Sequence, residues 1–100
     1  MDDQLRSDVA RAEHAQRILG DDLVQAALTD MKAAIIGAWE QSPVRDVEGR
    51  EHLHRYLKVI GQFEAAFRAH LETGQIAAAA IRAEEEQKTL MERIKERVRG

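Results

Sequence analysis

Apolar residues recur along this chain at alternating steps of four and three, in two runs separated by its single proline. Before Pro43 the run is Val24, Leu28, Met31, Ile35 and Ala38. After it come Leu53, Leu57, Ile60, Glu64, Phe67 and Leu71. Such spacing keeps one stripe of side chains on one face of a helix, as in helices that pack along their length. The break at Ser42-Pro43 is short, so the two stripes are expected to face each other in an antiparallel helical hairpin.

The flanks predict further helices. Residues 3–19 carry a thin stripe of Leu5, Val9, Ala12 and Leu19, interrupted by Gln16 and crowded by charge. This first helix is expected to be the weakest element, one that orders on a partner. Gly20 suits the left-handed position past a helix end, and Asp21 or Asp22 suits the cap of the next helix. The second helix, about 22–41, ends near Trp39 because proline disfavours helical geometry at Ser42. Asp46 is placed to cap a third helix over about 47–73, with Glu48 in its first turn. Thr73-Gly74 reads as a stop. A fourth helix is then expected over 75–99, alanine-rich from Ile76 to Ala83. Beyond Glu84 it is charged, with Leu90, Ile94 and Val98 as a narrow coiled-coil-like stripe.

The expected fold is therefore all-α, with three to four helices around a central antiparallel helical hairpin, coiled-coil-like and self-associating. Its organisation reads as an N-terminal helix over 1–20, a hairpin oligomerisation core over 21–74 and a C-terminal helical arm over 75–100. Composition strengthens the self-association. In 100 residues the apolar fraction is 44 %, but only 4 % is aromatic and much of the rest is alanine, which buries little area. Small chains bury a small share of their surface. Val24, Leu28, Met31, Ile35, Leu53, Leu57, Ile60, Glu64, Phe67 and Leu71 are the candidate oligomerisation residues.

Charge and chemistry narrow the function. A net charge of −3 speaks against nucleic-acid binding by the chain as a whole. Arg93, Lys95, Arg97 and Arg99 make the C-terminal end locally basic, a candidate contact for DNA or a protein partner. The same charges also complement the dipole at a helix C-terminus. A helix-turn-helix over residues 9–28 is disfavoured, because Asp21, Asp22 and Asp30 on the reading helix repel phosphates. The absence of cysteine removes disulfides and thiolate metal sites. No long uncharged apolar run suggests a membrane span, and charges throughout residues 1–20 argue against a secretory signal. A cytoplasmic protein is the expectation.

No catalytic motif is present. Ser7 and Ser42 are the only serines and neither sits in a nucleophile elbow. There is no phosphate-binding glycine loop. His52 and His54 lie two apart on different helix faces, and Glu51-His52 lacks the second histidine of a zincin motif. His14 and His70 stand alone. Glu64 falls in the middle of an apolar face, where an unpaired carboxylate is costly. A polar group that sets register by pairing with a lysine, arginine or histidine on a neighbouring helix explains it better than a catalytic or metal carboxylate. Neither a cofactor nor a metal is expected, and the chain reads as a non-enzyme.

The stretch from Leu23 to Ala77 contains AIIGAWEQSPVRDVEGREHLHRYLKVIGQFEAAFRAHLETGQIA. With Trp39 closing one helix, then Arg45-Asp46-x-Glu48-Gly49-Arg50-Glu51, then Thr73-Gly74 after a long helix, it resembles small terminase subunits of tailed phages and gene transfer agents. The resemblance implies a helical hairpin core over residues 22–73 that assembles rings, engages packaged double-stranded DNA and recruits the large packaging ATPase. It implies no catalytic residue here. The family's N-terminal DNA-binding helix-turn-helix has no counterpart, so DNA contact is expected to be non-specific. A virion-assembly scaffold or head-completion protein, or a dimeric or tetrameric coiled-coil adaptor, are the competing readings.

Overall fold

The computed structural model describes residues 2–99, and these form three α-helices: α1 (Asp2–Leu19), α2 (Asp22–Gln41) and α3 (Val47–Arg99). No strand occurs among the described residues. The 53 residues of α3 set the shape. At 1.5 Å per residue they span about 80 Å, and the molecule measures 83 × 25 × 18 Å. Its radius of gyration is 23.0 Å, against about 13 Å for a compact chain of this length. The protein is a rod: one helical spine with two shorter helices laid along it.

Local chemistry explains the starts and stops. Asp21 caps α2, its carboxylate accepting from the backbone N–H of Leu23 and Val24 at 2.9 and 3.1 Å. Asp46 does the same for α3, accepting from the Gly49 N–H at 3.0 Å. Either cap satisfies amide groups that the first helical turn leaves without partners. At the end of α2, Ser42 is extended, as the proline after it requires. The Ser42 hydroxyl donates to the Trp39 carbonyl at 2.6 Å. Gly20 follows α1 as expected, but among the described residues no glycine has a positive φ, so the turn does not use the left-handed conformation. The Gly20 N–H instead donates back to Gln16 at 2.8 Å, and Gln25 Nε2 donates to the Leu19 carbonyl across the junction.

One expectation needs correcting here. Thr73-Gly74 does not stop a helix: α3 runs through it without a break, and the third and fourth helices are one. Gly74 is buried because α1 crosses there. A Cβ added at Gly74 would overlap the Ala12 side chain and lie 3.2 Å from the Asp8 carbonyl oxygen. The glycine supplies room, not chain reversal. α1 packs against α3 at this point. Ala12 and Ala15 on α1, with Ala77 one turn beyond Gly74, are buried. Small residues at three-residue spacing on both helices let the two backbones approach closely.

Large side chains mediate the contact between α2 and the first half of α3. Leu28 and Ile60 are buried there, while Ile35, Leu53, Leu57 and Phe67 are half-buried. Beyond Glu84 nothing packs on α3: every residue from Glu85 to Arg99 is exposed. That free end projects about 22 Å past the last shielded turn.

Candidate assembly surface

Among the described residues only Ala12, Ala15, Leu28, Ile60 and Ala77 are buried apolar positions, and no large side chain is completely enclosed. The accessible surface is 8268 Å². A compact protein of 11.3 kDa would expose about 5,700 Å². The excess, roughly 2,500 Å², is about three times what one partner contributes to a standard interface.

Much of the exposed apolar surface borders α2 and the first half of α3. One groove is lined by Leu28, Met31, Val59, Ile60 and Phe63, a second by Ile35, Ile36, Trp39, Leu53, His54 and Leu57. Phe63 is 50 % exposed and stacks edge-to-face on Phe67, ring centroids 5.1 Å apart. Val59 and Tyr56 stand one and two turns before it, also exposed. At the far end the Arg50 guanidinium lies 4.4 Å from the centroid of the half-exposed Trp39 ring, and its Nη1 donates to the Ser42 hydroxyl at 3.3 Å. A cation held over an indole in this way helps to fix both side chains at the turn.

Glu64 is 7 % exposed, inside the α2–α3 contact. Lys32 of α2 forms an ion pair with its Oε1, and Arg68, one turn on in α3, approaches Oε2 at 3.4 Å. The polar group at the centre of the stripe is thus answered by a lysine from the facing helix. With both carboxylate oxygens engaged, it is a structural anchor between two helices. Among the described residues no three histidine, aspartate or glutamate side chains converge on a common point.

The candidate oligomerisation residues divide. Leu28, Ile60 and Glu64 are buried within the protomer, and Val24, Ile35, Leu53, Leu57, Phe67 and Leu71 are half-buried. Only Met31 is fully in the open. Most of the stripe is thus spent holding α2 on α3. The apolar surface left exposed lies beside it, at Ile36, Trp39, Tyr56, Val59 and Phe63. Tyr56 and Phe63, seven residues apart, flank the stripe in the sequence, and that spacing is the signal that marks them. Arg93, Lys95, Arg97 and Arg99 all lie on the exposed end of α3, well away from the grooves.

Among the described residues no helix is long and apolar enough to cross a membrane. No protein-family model, no curated protein and no solved structure matches the chain.

Proposed function

We propose that this protein is a non-enzymatic subunit that assembles with copies of itself, and that it serves DNA packaging in the manner of a small terminase subunit. The observation that carries the assembly reading is the pair of open apolar grooves on a protomer with almost no core of its own. Large aromatic and aliphatic side chains in concave surfaces are the usual anchors of protein interfaces. In this reading α2 and the first half of α3 are an antiparallel hairpin. The Trp39–Arg50 and Lys32–Glu64 contacts, which step in opposite directions along the two helices, support it. Copies meet through Met31, Ile36, Trp39, Tyr56, Val59 and Phe63, while Leu28, Ile60 and Glu64 keep each hairpin in register.

The packaging role rests on the resemblance over residues 23–77 and on the placement of the basic end of α3. Arg93, Lys95, Arg97 and Arg99 project clear of α1 and α2, where an assembly would multiply them into a basic rim for DNA or for the large ATPase.

Native mass spectrometry at several concentrations tests the assembly, and DNA affinity against salt tests the rim. A discrete species of around eight or more copies supports a ring. A dimer or tetramer at every concentration favours an adaptor. DNA binding through four cations should weaken with a log–log salt slope of about −3 to −4 per arm. Deleting residues 93–100 should remove it. No binding at low salt would confine the function to protein contacts, as for a scaffold or head-completion protein.

A further inference from the structure

The exposed end of α3 carries a second apolar face, separate from the grooves. Ile76, Leu90, Ile94 and Val98 recur on one side of the helix, and Val98 is 81 % exposed. Ile76, at 72 %, lies on the side of α3 away from α1, since its neighbours Gly74 and Ala77 are the ones that α1 covers. On a helical wheel of 100° per residue, Ala83 and Gln87 fall on the same stripe. Nothing in the protomer packs on it, and a bare helical end of this length is marginal in water.

Charge selects the occupant. Glu84, Glu85 and Glu86 open this segment, Lys88 and Glu92 lie within it, and Arg93, Lys95, Arg97 and Arg99, with Glu96 among them, close it, so the acidic excess is at its start and the basic excess at its end. Among the described residues none of these forms an ion pair: the pairs present involve Lys32, Glu51, Arg55, Glu64 and Arg68. A second copy laid parallel would set glutamates against glutamates and cations against cations. Laid antiparallel, it brings opposite charges together, and one register satisfies both flanks of the stripe. With Ala83 opposite Ile94 of the second copy, Glu86 meets its Arg93 and Glu84 its Lys95. Charged flanks beside an apolar seam are the usual determinants of orientation in paired helices.

We infer that the segment from Ala83 to Val98 is a docking surface for the same segment of a second copy, in antiparallel register. This deepens the self-assembly reading and rests on it. The contact is isologous, each arm offering its partner the surface it receives, so it closes on two copies. Assemblies built from it and from the hairpin grooves together hold even numbers of copies. Arg93 and Lys95 are then neutralised by glutamates, and only Arg97 and Arg99 remain for an anionic partner, which lowers the salt slope expected of four free cations to about −2 per arm.

The chain has no cysteine, so engineered thiols report the orientation in the full-length protein. Ala83→Cys and Ile94→Cys are made singly, oxidised under mild conditions alone or mixed, and run on denaturing gels beside native mass spectra. Antiparallel arms give cross-linked dimer only from the mixture. Cross-linking by each variant alone, with none added by mixing, would mean parallel arms and overturns the inference. No cross-link in any sample, from a protein whose native mass shows several copies, overturns the arm contact and leaves groove assembly standing. No cross-link from a monomer removes both. Circular dichroism of each variant confirms that helix content is kept.

Discussion

The two contacts on α3 are built on opposite plans. Where α1 crosses, the residues are the smallest available: Ala12 and Ala15 against Gly74 and Ala77, all buried. Where α2 lies, they are among the largest, and only Leu28, Ile60 and Glu64 are buried while Met31, Trp39, Tyr56 and Phe63 stay in the open. Close approach of backbones completes the first contact within one chain. The second holds its helices apart on bulky side chains and leaves grooves between them. Apolar size is therefore a poor guide to what is buried in this molecule: the alanine contact is closed, and the aromatic contact leaves large side chains open to solvent.

Four substitutions would break or sharpen that contrast. Phe63→Asp places a charge in a groove at a half-exposed position, at the cost within the protomer of the edge-to-face contact with Phe67. Association should weaken by about 2 kcal/mol or more, the loss typical of an interface anchor, with helix content unchanged. Sedimentation velocity reads the first and circular dichroism the second. Unchanged sedimentation would remove the groove from the assembly.

Gly74→Val attacks the closed contact. The added side chain overlaps Ala12, and overpacking of this kind costs about 2 kcal/mol. Urea unfolding should show it, with part of the loss recovered in a Gly74→Val, Ala12→Gly double variant because the two sites share one space. Additive losses would mean that Ala12 is not what Gly74 makes room for.

Lys32→Ala removes the cross-helix partner of buried Glu64 but leaves Arg68 in place. The lysine side chain is 39 % exposed, so the loss of stability should be about 1 kcal/mol, below the usual range for breaking a fully buried pair. A larger loss would show that Arg68 contributes little.

Gly61→Ala is expected to gain. No atom outside its own helix backbone lies within 4 Å of an added Cβ at Gly61, and alanine is the better helix former by about 0.5–1 kcal/mol. Thermal unfolding that shows a loss would reveal a neighbouring copy pressed against that face.

The α2–α3 region was largely legible before any coordinates. Its stripe, the Ser42-Pro43 break and the aspartate caps are local signals, set by side chains within a few residues of where they act. The α1 contact was not. A glycine that ends a helix and a glycine that admits a neighbouring helix look alike in isolation, and Thr73-Gly74 has the form of the first. What separates them is a non-local match: Ala12 and Ala15 share a face on α1, Gly74 and Ala77 share one on α3, and only the pairing of the two gives either its meaning. The exposed aromatic surface was half legible for a related reason. Periodicity marks which residues are apolar along a face, but the width of α2 decides which of them it covers. Met31, Tyr56 and Phe63 were left at its margins.

Native mass spectrometry of the full chain across a concentration series, beside Phe63→Asp, is the most direct measurement of whether the open contact is an assembly surface. Expected is a discrete multi-copy species with an even number of protomers, falling to smaller species in the variant. A wild-type chain that remains monomeric at every concentration would contradict it.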